Sequence, residues 1–266
     1  MTNADRTSIW RSALLLLGAY TFGVSAADVF HELGHSYTIW FQGGSVTGFC
    51  FHPFNSAYCY GTYVPNHLFL YAGGIFLGTP VSLLLVLLGL RFRTPYMMPL
   101  IMTVCAGLIP TGWHMLRDHF FAITTDTTSM IEHGMPMAVL IFAGVVYVFL
   151  GWGIRIFFLP LMGVQHGATV KTRTYVYLIG IMPYYLAGLV YACVTAGTAI
   201  LPQMAFLISA ALLLVFEAWL SKWAVDHLSL FGKLNPVPIS WKHLMSTWLA
   251  ASTLIIVTLL ISQGPP

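Results

Sequence analysis

The chain has 266 residues, of which 58% are hydrophobic and only 7% are charged, and its mean hydropathy is +0.81. Because a soluble domain usually has about 25% charged residues, this composition excludes an ordinary soluble protein and indicates a polytopic membrane protein. The formal net charge is +3, but the basic residues form no cluster and no nucleic-acid-binding motif is present, so we expect no nucleic-acid partner.

Seven apolar runs in the sequence are long enough to cross about 30 Å of hydrocarbon. They cover residues 9–41, 67–90, 96–116, 135–159, 175–197, 204–223 and 244–262. Only helices or closed barrels satisfy the backbone in lipid. The runs therefore predict an all-α protein of about seven transmembrane helices in a single membrane-embedded domain, residues 1–266. The first run lacks a small-residue cleavage site, so it is predicted to be a retained span and not a signal peptide.

The first run ends in His31-Glu32-Leu33-Gly34-His35. Two histidines at positions i and i+4 share one face of a helix, so both rings can reach one ion. Neutral imidazoles suit Zn²⁺, which can keep a coordination position for water, and Glu32 would be the general base that takes the proton of that water. Ionisable residues are costly in an apolar span, which favours a function. The alternative is a polar cluster that hydrogen-bonds neighbouring helices or caps the span at the membrane interface.

Residues 43–66 have the pattern of a β-hairpin. Segments 45–52 and 57–64 are rich in β-forming residues and flank the turn-forming sequence Pro53-Phe54-Asn55-Ser56. With a turn of this length, residue 52 pairs with residue 57 and Cys50 therefore pairs with Cys59, at a separation that allows a disulfide. The alternative is two free thiols.

A third metal ligand is expected at the same membrane level as the two histidines. Asp118, at the end of the third run, is the first choice, and Asp126 in the following loop is an alternative. Glu132 and His133 in the same loop are further alternatives. His114 precedes Asp118 by one helical turn, so it could orient that carboxylate or stabilise an oxyanion. The other interpretation of His114 is a hydrogen bond between helices.

Lysine and arginine are distributed unequally between the two sides of the predicted spans. Ten of the eleven lie on one side, and only Arg117 lies on the other. The ten are Arg6, Arg11, Arg91, Arg93, Arg155, Lys171, Arg173, Lys222, Lys233 and Lys242. Since cytoplasmic loops are basic, this distribution predicts a cytoplasmic N-terminus and a metal site that faces the non-cytoplasmic side.

Four features of the sequence occur together: the motif at residues 31–35, a hairpin that begins Gly43-Gly44, a span that opens with Ala72-Gly73-Gly74, and an aspartate on a later span. In this combination the first half of the chain resembles the site-2 protease family of intramembrane zinc metallopeptidases. The resemblance implies that His31 and His35 bind Zn²⁺, that Glu32 is the general base and that Asp118 is the third ligand. The Leu-Asp-Gly context of that family's third ligand is absent, because this sequence reads Leu116-Arg117-Asp118-His119.

The sequence is compatible with two functions. The favoured one is an intramembrane zinc metallopeptidase that hydrolyses peptide bonds of membrane-spanning substrates. The alternative is a non-catalytic integral membrane subunit of a larger complex, in which the His/Asp cluster binds a structural metal or partner helices. Both predict a lipid bilayer as the environment, with either a membrane-protein substrate or partner subunits.

Overall fold

The structure, a computed structural model, describes residues 3–51, 57–62, 64–121, 125–195, 200–232 and 234–262. Within these residues, seven helical segments are long and apolar enough to cross a membrane, which confirms the predicted all-α polytopic fold. The segments are Ser8–Phe41, His67–Phe92, Pro95–Asp118, Met137–Met162, Val170–Tyr191, Leu207–His227 and Trp241–Ile261. The chain is therefore an integral, multi-pass membrane protein.

The α-helices differ in length, and some spans contain more than one of them. In chain order they are α1 (Asn3–Phe41), α2 (His67–Ala72), α3 (Thr79–Val81), α4 (Leu84–Phe92), α5 (Met98–Phe121), α6 (Asp126–Glu132), α7 (Met137–Phe158), α8 (Val170–Thr195), α9 (Ile200–His227) and α10 (Trp241–Ile261). The second span is interrupted, because a π-helical stretch at Gly73–Gly78 separates α2 from α3. Such stretches are rare and occur often at functional sites.

The residues after α1 form the predicted hairpin. Strand β1 (Ser45–Cys50) pairs in antiparallel fashion with strand β2 (Tyr58–Thr62). An irregularity between Val46 and Gly48 shifts the register by one residue along the strands. The turn-forming residues 53–56 lie outside the described part of the chain.

Cys50 and Cys59 are not cross-strand partners, which corrects the register expected from the sequence. Cys50 lies opposite Tyr58, and Cys59 lies opposite Phe49. Because successive residues of a strand point to opposite faces, a slip of one residue places the two cysteines on different faces of the hairpin. Cys50 and Cys59 form no disulfide.

The chain, predicted to be a single domain, divides into two compact units. One unit, here called the α9 unit, comprises Met1–Phe22, Gly89–Met102 and Arg155–Thr253. The other, here called the site unit, comprises Gly23–Leu88, Thr103–Ile154 and Leu254–Pro266 and contains the motif of α1. Long helices such as α1 and α5 contribute residues to both units.

A buried ion pair lies in the α9 unit. On sequence alone, the mid-span Glu217 either serves a function or makes a hydrogen bond between helices. In the structure its carboxylate accepts hydrogen bonds from the Arg155 guanidinium, and both side chains are buried. Arg155 lies inside the fourth span, where Glu217 balances its charge. Arg173 is likewise buried within the fifth span.

Candidate metal centre

Helix α1 places two imidazoles side by side, as the spacing of the motif predicts. The Nε2 atoms of His31 and His35 are 3.1 Å apart. Nδ1 of His35 lies 2.8 Å from the backbone carbonyl oxygen of Leu70. Since a carbonyl oxygen can only accept, Nδ1 carries a proton, and a neutral His35 ring held in this way would offer the lone pair of Nε2 to a metal.

The third group at this point is Asp126, the first residue of α6. Its Oδ2 atom lies 2.8 Å from Nε2 of His31 and 3.0 Å from Nε2 of His35. Burial by itself would raise the pKa of the Asp126 carboxyl, but the hydrogen bonds with both imidazoles outweigh that effect and hold the pKa well below its usual range. Asp126 therefore presents a carboxylate anion to the two rings.

Glu32 joins this cluster from between the two histidines. Ligand atoms of His31, Glu32 and His35 all lie within 4.8 Å of one another. Glu32 is only 3% exposed, and the backbone of Cys59 donates a hydrogen bond to its carboxylate. The Oε2 atom is buried and has no hydrogen-bond partner among the described residues. That oxygen is free to accept a hydrogen bond or a proton from a molecule in the site.

The cluster lines a cavity of about 360 Å³, a volume in the range of small-molecule sites. Helices α1, α5 and α6 and strand β2 all contribute to its wall. Burial raises the pKa of the Cys59 thiol, which is the group that β2 presents next to Ser36. Among the described residues, the ionisable ones at the wall, besides Cys59 and the tyrosines, are Asp28, His31, Glu32, His35, His114 and Asp126.

Glycines let α1 approach the second span closely enough to build this site. A Cβ atom on Gly34, inside the motif, would lie 2.2 Å from the carbonyl oxygen of Gly73. A Cβ atom on Gly78 would lie 2.1 Å from the carbonyl oxygen of Phe30. Real Cβ atoms do not approach backbone this closely, so the π-helical stretch and α1 can only pack in this way through glycine.

Gly74 meets the imidazoles themselves. A Cβ atom at this position would lie 2.5 Å from Nε2 of His35 and 2.6 Å from Nε2 of His31. The sequence favours a packing role for the small residues that open this span. In the structure, Gly74 also leaves room for the Nε2 atoms of both histidines.

Asp118, the first choice for a third ligand on sequence, is not part of the cluster. It is fully buried, and its Oδ2 accepts a hydrogen bond of 2.8 Å from Nδ1 of His114. Its Oδ1 accepts hydrogen bonds of 2.9 Å and 2.7 Å from Nε and Nη2 of Arg117. Both carboxylate oxygens are therefore engaged, and the structure places Asp126 beside the rings where Asp118 was expected. The loop alternative Glu132 is exposed, and neither it nor His133 belongs to the metal-capable group.

No family model, curated protein or solved structure matches this chain. The likeness to the site-2 protease family therefore stays a resemblance carried by the motif, the hairpin and the glycine-rich second span. The site has to be judged on the chemistry of its own residues.

The donor atoms at the cluster fit a zinc ion. Two imidazole nitrogens and one carboxylate oxygen form a common ligand set for catalytic zinc, with a fourth position left for water or substrate. Ligand atoms about 2.0–2.1 Å from a tetrahedral zinc lie about 3.3–3.4 Å from one another. The three donors here are 2.8, 3.0 and 3.1 Å apart, so each pair would separate by only a few tenths of an ångström.

Sequence reasoning missed the Leu70 carbonyl and ranked Asp126 second. A backbone carbonyl has no signature in the sequence, because every residue carries one. For Asp126 a local signal exists, since Thr125, Asp126 and Thr128 have the pattern of a helix start. The backbone N–H of Thr125 does donate to Oγ1 of Thr128 at 2.9 Å. That pattern predicts where α6 begins but not which helix its first residue contacts.

Proposed function

We propose that this chain is an intramembrane zinc endopeptidase that hydrolyses peptide bonds of membrane-spanning substrates. The observation that carries the proposal is the convergence of His31, His35 and Asp126 on one point of a cavity. Glu32 presents an unpartnered carboxylate oxygen to the same cluster. A purely structural zinc would take four protein ligands and would not need a free acceptor beside them.

The residues of the chain divide the reaction between them. A zinc ion held by His31, His35 and Asp126 would supply Lewis-acid polarisation of the substrate carbonyl and activation of a water molecule. Glu32 accepts a proton from the attacking water and passes it to the peptide nitrogen as the carbon–nitrogen bond breaks. The products are one carboxyl group and one amine, so one water is consumed and no other reactant is needed. Leu70 keeps the His35 ring in the required tautomer.

Aromatic residues at the end of α1 support a position of the site inside the bilayer. Tyr37, Trp40 and Phe41 are exposed, and tyrosine and tryptophan are typical of the membrane–water interface. At about 1.5 Å per residue, His35 lies about 8 Å and His31 about 14 Å before Trp40 along the helix. A peptide bond at this depth belongs to a helix in most membrane proteins, so we expect substrates whose helix is locally loosened.

The proposal is tested with purified protein in detergent and the variants Glu32→Gln and His31→Ala. The zinc content of the protein is measured by elemental mass spectrometry. Cleavage is measured on a pool of synthetic membrane-spanning peptides with a Gly-Pro sequence at the centre. We expect the wild type to bind about one zinc per chain and to cleave. Glu32→Gln keeps its zinc but loses cleavage, because the amide cannot take a proton, and His31→Ala loses both.

Glu132→Gln is the matched control, because Glu132 is exposed and lies outside the cluster. It should keep both zinc and cleavage. A wild type without stoichiometric zinc, or a Glu32→Gln variant that cleaves as fast as wild type, contradicts the proposal. Zinc binding together with full function of Glu32→Gln in its native membrane would instead support the alternative of a non-catalytic subunit.

We further propose that the N-terminus faces the cytoplasm and that the cavity opens toward the other side. Arg155 and Arg173 are buried within spans and Arg117 is paired with Asp118, so these three say little about orientation. The remaining eight of the eleven basic residues all lie on the predicted cytoplasmic side of the spans. The predicted cytoplasmic side therefore still has the excess of lysine and arginine.

A further inference from the structure

We infer that His114 is a second catalytic side chain, which donates a hydrogen bond from Nε2 to the carbonyl oxygen of the bound peptide, and that Asp118 and Arg117 position it. This inference rests on the proposed peptidase function and adds the group that receives the charge formed during the reaction. It gives a role to the carboxylate that the sequence assigned to the metal.

The hydrogen bonds of His114 determine which of its nitrogens is available. Nδ1 lies 2.8 Å from Oδ2 of Asp118 and 3.2 Å from Nη2 of Arg117. The carboxylate is the nearer partner and can only accept, so Nδ1 carries a proton and donates it. The Asp118 carboxylate is itself fixed by two hydrogen bonds from the Arg117 guanidinium. The ring of His114 is therefore held in one orientation.

Nε2 is the remaining polar atom of His114, and it has no hydrogen-bond partner among the described residues. The side chain is 46% exposed although Asp118 behind it is fully buried. His114 also lines the same cavity as Glu32 and Asp126. A ring anchored at one nitrogen and open at the other is suited to contact a molecule in that cavity.

The charges at the cavity wall explain why such a donor is needed. Asp28, Glu32 and Asp126 supply carboxyl groups, which accept hydrogen bonds and repel negative charge when ionised. As water adds to the peptide carbonyl, the carbonyl oxygen gains negative charge and is stabilised by a donor already in place. An N–H group at Nε2 of His114, with the ring held at Nδ1 by Asp118, supplies that donor. Glu32 still carries the proton of the water to the leaving nitrogen, so the hydrogen bond from His114 does not change the proton balance.

The wall that carries His114 is fixed by helix packing. Gly112, two residues before His114, brings α5 against α7, since a Cβ atom on Gly112 would lie 2.7 Å from the carbonyl oxygen of Gly144. The reverse contact is equally close, with a Cβ atom on Gly144 at 2.8 Å from the carbonyl oxygen of Gly112. Helix α5, which carries His114, is therefore held in place by its contact with α7. Such a rigid support keeps the imidazole in a fixed position.

The test compares two zinc-binding probes that share the Cbz-Phe group, using the zinc-loaded protein in detergent. The phosphinic pseudodipeptide Cbz-Phe-ψ[PO₂CH₂]-Ala carries a tetrahedral anionic group, whereas the hydroxamate of Cbz-Phe chelates metal without one. We expect His114→Ala to weaken binding of the phosphinic probe by about 100-fold, the usual effect of removing one oxyanion donor. Binding of the hydroxamate and the zinc content should stay nearly unchanged.

Two further variants separate a positioning role from a loss of folding. Asp118→Asn keeps the size of the side chain but removes the carboxylate that holds Nδ1 of His114. It should therefore also weaken binding of the phosphinic probe selectively. His114→Gln retains an N–H donor near the position of Nε2 and should recover part of the affinity that His114→Ala loses. His227→Gln, at the exposed end of the sixth span, is the matched control and should bind both probes as the wild type does.

Equal losses for both probes in His114→Ala, or no loss for either, would overturn the role of His114 while leaving the peptidase proposal intact. A wild type that binds neither zinc nor the probes would overturn the peptidase proposal and this inference with it. The two failures are therefore distinguishable in one set of measurements.

Discussion

Asp126 and Asp118 are both hydrogen-bonded to histidine, but their charges are balanced differently. Asp126 shares one oxygen between His31 and His35, and no lysine or arginine is paired with it among the ion pairs of the described residues. Asp118 is neutralised by the guanidinium of Arg117. A cation is attracted to an anion whose charge is not yet compensated, so Asp126 is the better ligand.

Replacing each aspartate by asparagine tests this difference. Asp126→Asn should weaken zinc binding by more than about 100-fold, which exceeds the usual effect of residues that only support a ligand. Asp118→Asn should leave zinc affinity nearly unchanged, because its carboxylate does not belong to the cluster. The measurement is a competition titration against a chelator of known zinc affinity. Weaker zinc binding in Asp118→Asn than in Asp126→Asn would reverse the assignment.

At the site, α1 and the second span meet through backbone atoms. The π-helical stretch Gly73–Gly78 lies against α1 at Gly34, where neither element has space for a Cβ atom. This close contact brings the Leu70 carbonyl to Nδ1 of His35. The geometry of the candidate metal centre therefore depends on glycines that carry no chemistry of their own.

Two alanine substitutions are expected to disturb this contact. Gly34→Ala should lower the free energy of unfolding by about 1–3 kcal/mol or more, since the added methyl group meets a rigid carbonyl and the packing must shift. Gly74→Ala should weaken zinc binding, because its methyl group would occupy the space of the two imidazole nitrogens. Thermal unfolding in detergent and zinc titration measure the two effects.

Gly153→Ala is the matched control within the site unit. Gly153 lies in α7, and a Cβ atom there would meet nothing within 4 Å. Since alanine favours helix by about 1 kcal/mol over glycine, this variant should be as stable as wild type or slightly more stable. A loss of stability as large as that of Gly34→Ala would mean that glycine matters here for a reason other than close packing.

At the scale of the whole chain, polar groups inside the spans serve two different purposes. In the site unit they converge on a cavity, whereas in the α9 unit Arg155 and Glu217 satisfy each other in a buried pair. Removing one partner of such a pair leaves a buried charge uncompensated. We therefore interpret the second cluster as structural.

Glu217→Ala should lower the free energy of unfolding by about 3–5 kcal/mol, because Arg155 would stay buried without its partner. The double variant Arg155→Met with Glu217→Leu should be much closer to wild type, since both charges are removed together. In the folded fraction of each variant, the zinc content per chain should be the same as in the wild type. Chemical unfolding in detergent, read together with metal content, checks this prediction. Full stability of Glu217→Ala would contradict it.

Orientation across the membrane is also a property of the whole chain. Seven spans with a cytoplasmic N-terminus predict that the C-terminus lies on the opposite side. Alkaline phosphatase fused after residue 262 in a bacterial host should therefore be active, and a fluorescent protein at the same point should be dark. The opposite result would mean that the cavity opens toward the cytoplasm.

The sequence determined the fold class and the first half of the site. Apolar runs separated by short polar segments leave the backbone no alternative to helices in lipid, so the seven spans follow from composition alone. The pairing of His31 and His35 also follows locally, because the helical repeat places i and i+4 on one face. Glu32 belongs to the same turn and needs no tertiary information.

Only the tertiary structure decided which groups join that turn from elsewhere in the chain. Asp118 and Asp126 are only eight residues apart, and the sequence favoured Asp118 as the ligand. Their places depend on how α5 and α6 pack. The hairpin register at Cys50 and Cys59 differs by one residue from the expected one, because a slip of one residue in strand pairing has no signature in composition. Contacts between distant segments depend on shape and on backbone groups that every residue carries, so local patterns do not specify them.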